Sequence, residues 1–161
     1  MPDNSISRSD TYYPPSAFYF KIEFTADKGT DTSFQEVSGL NVTIEYDRVA
    51  EGGENFFYYL PKPPKYDNLV LKRGMADMSS PLVSWCSGIL GPDFTKPVEP
   101  RTLNVFLLNE QGDACRAWNI VNALPVKWQI DTFNSTKNAV AIETIELTYN
   151  YFTREDSKYG H

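Results

Sequence analysis

The stretch Phe18-Tyr19-Phe20-Lys21-Ile22-Glu23-Phe24 puts Phe18, Phe20, Ile22 and Phe24 on one side of an extended chain and Tyr19, Lys21 and Glu23 on the other. Successive side chains of a β-strand point to opposite faces, so a period of two with one apolar side predicts a strand lying on a core. The same period returns outward from this stretch. Phe34 to Val37 and then Val42, Ile44 and Tyr46 form two short alternating runs on either side of Ser38-Gly39. Leu69 and Leu71 alternate with Val70 and Lys72 up to Gly74, and Leu103, Val105 and Leu107 precede a turn at residues 109–113. Arg116 to Val121 is the return arm of that hairpin, and Val126, Trp128 and Ile130 form another short apolar segment after Pro125.

The last run, Val140 to Phe152, changes parity: Val140 and Ile142 share one face, while Ile145, Leu147 and Tyr149 take the other. A β-bulge near Glu143-Thr144 is expected to reconcile the two halves. One helix is expected at Pro81 to Ile89, because Ser79-Ser80-Pro81 supplies an N-cap followed by proline in the first turn. Leu82, Trp85, Cys86 and Ile89 form its single apolar stripe. With seven or eight strands, one helix and no parallel strand-helix-strand rhythm, the fold class is mainly β, an antiparallel sandwich or barrel. Residues 1–15 read as an extended arm ending in Pro14-Pro15, residues 16–153 as the β-domain and residues 154–161 as a tail.

The 161 residues suit one domain, and 23 aromatic side chains (10 Phe, 10 Tyr, 3 Trp) favour pleated surfaces. A formal charge of -6 repels phosphate backbones, which counts against nucleic-acid binding as the main activity. No signal-peptide pattern or membrane-spanning apolar run is present, so assembly in the cytoplasm is expected. Cys86 and Cys115 lack metal-ligand spacing and read as free thiols.

Catalysis finds little support. The single histidine is the terminal His161, so no nucleophile has a histidine base, and no metal or cofactor is expected. Glu51-Gly52-Gly53-Glu54 lacks the lysine, hydroxyl and following helix of a phosphate cradle. Glu143 and Glu146 are expected on solvated faces or as charges lining a channel. The segment from Arg48 to Lys65 is different: Phe56-Phe57-Tyr58-Tyr59 is too apolar for a solvated Gly/Pro-rich loop, which suggests packing on another chain.

Phe34-Gln35-Glu36-Val37-Ser38-Gly39-Leu40 with the following Glu45-Tyr46 resembles the amino-terminal signature of the tail-tube protein family of contractile phages and extracellular contractile injection systems. Further motifs of that family resemble, in order, Glu51-Gly52-Gly53, Leu60-Pro61, Leu69 to Gly74, a helix with Trp85, Trp118 to Trp128 with Asn122, Ala123 and Pro125, and Ala141 to Leu147. The chain departs from the pattern at the proline-rich Leu60-Pro61-Lys62-Pro63-Pro64 and from Tyr149 to His161. The resemblance implies a non-enzymatic protomer that forms hexameric rings, with hairpins joined into a continuous inner barrel and rings stacked into a hollow tube. It implies a sheath protein, baseplate and cap proteins as partners, and a luminal cargo of protein or DNA.

Candidate self-assembly residues are Phe56, Phe57, Tyr58 and Tyr59 in the aromatic loop, with Val42, Ile44, Tyr46, Leu69 and Leu71 in strands that could face the lumen. Two alternatives compete. A type VI secretion tube shares the ring architecture, and a β-sandwich carbohydrate-binding module could stack sugars on Tyr58, Tyr59, Trp118 and Trp128.

Overall fold

The alternation of Phe18 to Phe24 becomes strand β1 (Tyr19–Phe24), with Ile22 and Phe24 buried and Lys21 and Glu23 directed outward. The computed structural model describes residues 18–50, 52–53, 56–74, 79–92, 97–131 and 141–155. The expected arm at residues 1–15, His161 and most of the expected tail lie outside the described residues, as does Val140.

Strand β2 (Thr30–Ser38) pairs with β1 and leads into a protruding segment. That segment is made of β3 (Val42–Thr43), β4 (Tyr46–Ala50), β5 (Phe57–Pro61) and β6 (Lys65–Tyr66). The chain returns as β7 (Leu69–Gly74), then helix α1 (Pro81–Leu90), β8 (Arg101–Leu108), β9 (Ala114–Ile130), β10 (Ile142–Thr148) and β11 (Tyr151–Arg154). Going round the sheet, β10, β7, β2, β1, β8 and β9 are each hydrogen-bonded to the next, and β9 pairs back to β10, so the sheet closes into an antiparallel barrel. β11 adds to the first half of β9. Closure leaves the buried faces of all these strands sharing one core that includes Ile22, Phe24, Phe34, Leu69, Leu71, Val105, Ile120, Ile145 and Leu147.

Two sequence expectations need correction. The segments expected at Arg116 to Val121 and Val126 to Ile130 are one strand of 17 residues. Pro125 does not end it: it sits opposite Leu147 at the point where the β9–β10 register shifts, the kind of ladder irregularity that accommodates a proline. Positive φ at Asn122 marks the bend between the two halves. Nor is there a bulge at Glu143-Thr144. Ile142 to Leu147 run in unbroken register against Gly74 to Leu69, so the parity change has another cause. Ile142 faces outward, and the inward position is taken by Glu143, which is buried rather than solvated.

Glu143 is tolerated inside because its charge is met. Its Oε2 accepts from Arg73 Nε at 3.0 Å and its Oε1 accepts from Trp128 Nε1 at 2.8 Å. Arg73 also donates to Asp31 Oδ1 at 2.8 Å and to Ser80 Oγ at 2.8 Å, and its guanidinium lies over the Phe34 ring at 4.3 Å. Asp31 in turn accepts from Leu82 N at 2.8 Å, and the Ser80 hydroxyl donates to Asp31 while accepting from Val83 N at 3.1 Å. A carboxylate at a helix N-terminus satisfies orphan N–H groups and meets the positive end of the helix dipole, so the network also fixes where α1 begins. The helix carries Leu82 and Cys86 into the barrel core, and burial together with the nearby Glu143 and Asp31 carboxylates pushes the Cys86 thiol up to about 12.

Candidate functional site

Between β2 and β7 the chain leaves the barrel as a two-stranded arm. β4 pairs with β5 from Tyr46↔Pro61 to Ala50↔Phe57, and β3 pairs with β6 nearer the root. The expected aromatic loop is therefore a hairpin whose turn region includes Gly52-Gly53. Directly opposite residues share a face, which puts Tyr46, Arg48, Tyr59, Phe57 and Pro61 on one side and Asp47, Val49, Tyr58 and Leu60 on the other. Arg48 lies over the Phe57 ring at 3.4 Å. Every residue of β4 and β5 is exposed, and Phe56 at their turn is 73% exposed. A lone two-stranded hairpin is marginal in water, so an arm this apolar needs a surface to lie on.

The root of the arm is held where the tip is not. Tyr66 makes edge contacts with Tyr149 and Phe152, at ring separations of 5.9 and 5.4 Å, and Tyr149 donates its hydroxyl to Gly39 O at 3.2 Å. Burial pushes the Tyr149 hydroxyl up to about 12. Lys62 and Lys65 pair with Glu45 at 4.0 and 3.4 Å, and Lys62 also pairs with Asp47 at 3.2 Å. Gly39, at φ +89°, turns the chain out of β2 so closely past Asn68 that a Cβ would lie 1.8 Å from its carbonyl oxygen.

The second surface belongs to the barrel. β1 pairs with β2 only as far as Phe34, and β8 pairs with β9 only as far as Ala123. The second halves of β2 and β9 therefore each keep one partner, β7 and β10, and an open edge among the described residues. Together β9, β10, β7 and β2 make a four-stranded sheet whose two lateral edges have no pairing partner among the described residues. Two rows cross its outer face: Gln129, Thr144, Lys72 and Glu36, then Lys127, Glu146, Val70 and Ser38. Lys72 pairs with Glu36 at 3.7 Å, and Glu146 accepts from Asn68 Nδ2 at 2.9 Å. Asp131 N donates to Ile142 O, and backbone direction alternates along a strand, so the N–H of Ile130 points to the open edge. On the inner side of that edge strand, Val126, Trp128 and Ile130 stay exposed, an apolar strip the barrel does not cover.

Of the predicted assembly residues, Phe56, Phe57, Tyr58, Tyr59, Val42, Ile44 and Tyr46 all lie exposed on the arm. Leu69 and Leu71 do not belong to a contact surface: both are fully buried in the core, and the outward positions of β7 are Val70 and Lys72. The sugar-stacking set is not one platform, since Tyr58 and Tyr59 occupy opposite faces of the arm, Trp118 packs on the core and Trp128 is bonded to Glu143. The open edges and the Tyr66, Tyr149, Phe152 anchor were not predicted. Apolar alternation in Val126 to Ile130 marks a strand but carries no sign of which strands leave it unpaired.

The family model for T4-like virus tail tube protein gp19 matches residues 16–153. A chain of the anti-feeding prophage baseplate, determined by cryo-EM with six-fold symmetrisation, is 30% identical over 85% of this chain and 91% of that chain, with a TM-score of 0.66. A chain of the extended sheath-tube complex of the PVC extracellular contractile injection system is 23% identical over 95% of this chain and 99% of that one, with a TM-score of 0.68. Hcp1 from Salmonella typhimurium shares the fold at 10% identity, with 90% of each chain covered and a TM-score of 0.54. No curated protein matches the sequence.

Proposed function

The chain belongs to the T4-like virus tail tube protein family, and we propose that it is the repeating structural subunit of the inner tube of a contractile injection particle or phage tail, stacked in six-subunit rings. The observation that carries the proposal is the four-stranded sheet with two open edges. Unpaired edges invite pairing with another chain, and here both belong to one sheet. The strands alternate in direction across β9, β10, β7 and β2, so the β9 edge of one copy meets the β2 edge of the next antiparallel. A head-to-tail contact of this kind closes into a ring when the rotation allows.

Six copies, the symmetry of the related baseplate, give a closed barrel of about 24 strands, wide enough for an aqueous channel since 16–18 strands already leave one. The same pairing covers the apolar strip of Val126, Trp128 and Ile130. The arm, projecting from the barrel beside these edges, lies on a neighbouring subunit and ties ring to ring. Function is mechanical and no reaction is assigned: a sheath grips the tube from outside, baseplate and cap proteins close its ends, and contraction drives the rigid tube with its cargo through a target envelope. The type VI reading is weaker, with 10% identity to Hcp1 against 30% to the injection-particle chain.

Ile130→Pro tests the edge directly, since it removes an N–H pointing away from β10 and leaves the subunit's own ladder intact. A folded subunit by circular dichroism that no longer forms rings in sizing and electron microscopy is the expected outcome. Rings of normal size from this variant would refute edge pairing through β9.

A further inference from the structure

Behind each open edge of the four-stranded sheet lies an inward-facing apolar patch that the subunit leaves uncovered. Resting on the ring proposal, we infer that the two patches meet between neighbouring copies: the strip of Val126, Trp128 and Ile130 of one copy packs on Phe18 and Val37 of the next, with Trp128 as its anchor.

Both patches arise in the same way, where a strand loses the neighbour that covered it. On β1 the inward residues Phe24 and Ile22 are fully buried, Phe20 is half-buried, and Phe18, next in the same alternation, is 43% exposed. That gradient follows the pairing, since β1 stays beside β2 only up to Phe34 and β2 then continues beside β7. Val37 lies on the inward side of that second half, opposite the buried Leu71, and is itself half-buried. On β9 the order is mirrored. Ile120 and Ala123 are fully buried where β8 lies alongside, whereas Val126, Trp128 and Ile130, past the end of that pairing, are exposed.

Strands paired across a joint form one sheet, and side chains on the same side of it become neighbours. Joining the β9 edge of one copy to the β2 edge of the next therefore brings the strip beside Val37, and Phe18 faces it from the end of β1. Trp128 is built for such a contact. A tryptophan covered at an interface needs an acceptor for its indole N–H, and Nε1 already donates to Glu143 Oε1 at 2.8 Å inside its own subunit. Glu143 is held in turn by Arg73 Nε at 3.0 Å. Covering the rest of the ring leaves no orphaned donor, and the bond fixes the ring before assembly, which lowers the entropy lost on association. Phe18, Val37, Val126 and Ile130 bring no polar side-chain atom to desolvate. Binding energy concentrates in central aromatic anchors of this kind, ringed by contacts that keep water out.

The test compares the concentration at which rings form, by sizing and electron microscopy, for wild type and Phe18→Ser. Phe18 lies outside the buried core, so urea unfolding of dilute subunits is expected to be unchanged while rings need on the order of tenfold more protein. Rings of Phe18→Ser at the wild-type concentration overturn the inference. The contact itself is read by mixing Phe18→Cys subunits with Ile130→Cys subunits, both carrying Cys115→Ser because Cys115 is partly exposed. A short bismaleimide is expected to join the two kinds of subunit in rings and not in dilute mixtures, and rings that form without this link overturn the joint. A folded mixture that no longer assembles where wild type does agrees with the loss expected of Phe18→Ser. Wild-type protein that forms no rings at any concentration refutes the ring proposal itself, whereas wild-type rings indifferent to Phe18 refute this joint alone.

Discussion

Replacing Arg73 by methionine removes the one cation from a buried cluster that holds two carboxylates. Arg73 is 3% exposed, and its side chain bonds Asp31, Glu143 and Ser80 at 2.8, 3.0 and 2.8 Å. Asp31 keeps the Leu82 N–H and the Ser80 hydroxyl after the change, but Glu143 keeps only the Trp128 indole among these partners. Breaking a buried ion pair by deleting one partner costs about 3–5 kcal/mol, because the remaining charge stays desolvated. At about 2–4 °C per kcal/mol for a chain of this size, Tm falls by roughly 6–20 °C. Urea unfolding of dilute subunits, followed by circular dichroism, measures the loss without interference from assembly. Adding Glu143→Gln to Arg73→Met removes the stranded charge while keeping a polar group beside Trp128, so the double variant is expected to recover part of the stability. A cost for Arg73→Met below about 1 kcal/mol, or strict additivity in the cycle, would refute the claim that the cluster holds the barrel and α1 together.

Three further outcomes follow from the arm and its root. Phe56→Ser with Phe57→Ser leaves the subunit as stable as wild type, since both side chains are exposed, but impairs ring stacking seen by electron microscopy. Gly39→Ala costs on the order of 1–3 kcal/mol from the left-handed backbone alone, before the contact with the Asn68 carbonyl, and appears as a lowered Tm. Burial pushes the Tyr149 hydroxyl up to about 12 from the ordinary tyrosine value of 10.0, so the folded state holds its proton more tightly. Its contribution is complete below pH 10 and is lost as pH rises toward 12; Tyr149→Phe is expected to flatten the alkaline limb of a stability-pH curve.

Much of the barrel is legible in the sequence because its strands obey one rule. Ile22 and Phe24, Leu69 and Leu71, and Leu103 and Val105 are the inward residues of alternating runs and lie in the core, whereas Phe18 is exposed and Leu107 gives way to the buried Phe106 and Leu108. The rule misleads where an inward position is filled by charge. Glu143 looks like a solvent residue in any alternation count, and only the spatial approach of Arg73, 70 positions earlier, makes it a core residue. Leu69 and Leu71 were candidates for the lumen because an alternating strand has two faces and the sequence does not say which is outside. The aromatic stretch Phe56 to Tyr59 stands out in the sequence as too apolar for a solvated loop, though its hairpin form depends on pairing with Tyr46 to Ala50. The open edges of β2 and β9 were hidden for a deeper reason: an edge is a property of what a strand lacks beside it, and no residue type encodes that.

The measurement that bears most directly on the tube is a cryo-EM reconstruction of the assembled protein at a resolution that separates strands. The expected map shows six-fold rings in which the second half of β9 runs antiparallel to the second half of β2 of the next copy, with Trp128 covered at the joint and Lys72 and Thr144 facing the channel. A protein that stays monomeric at every concentration and with a baseplate template supplied, or rings joined through other strands with these two edges still open, would contradict it.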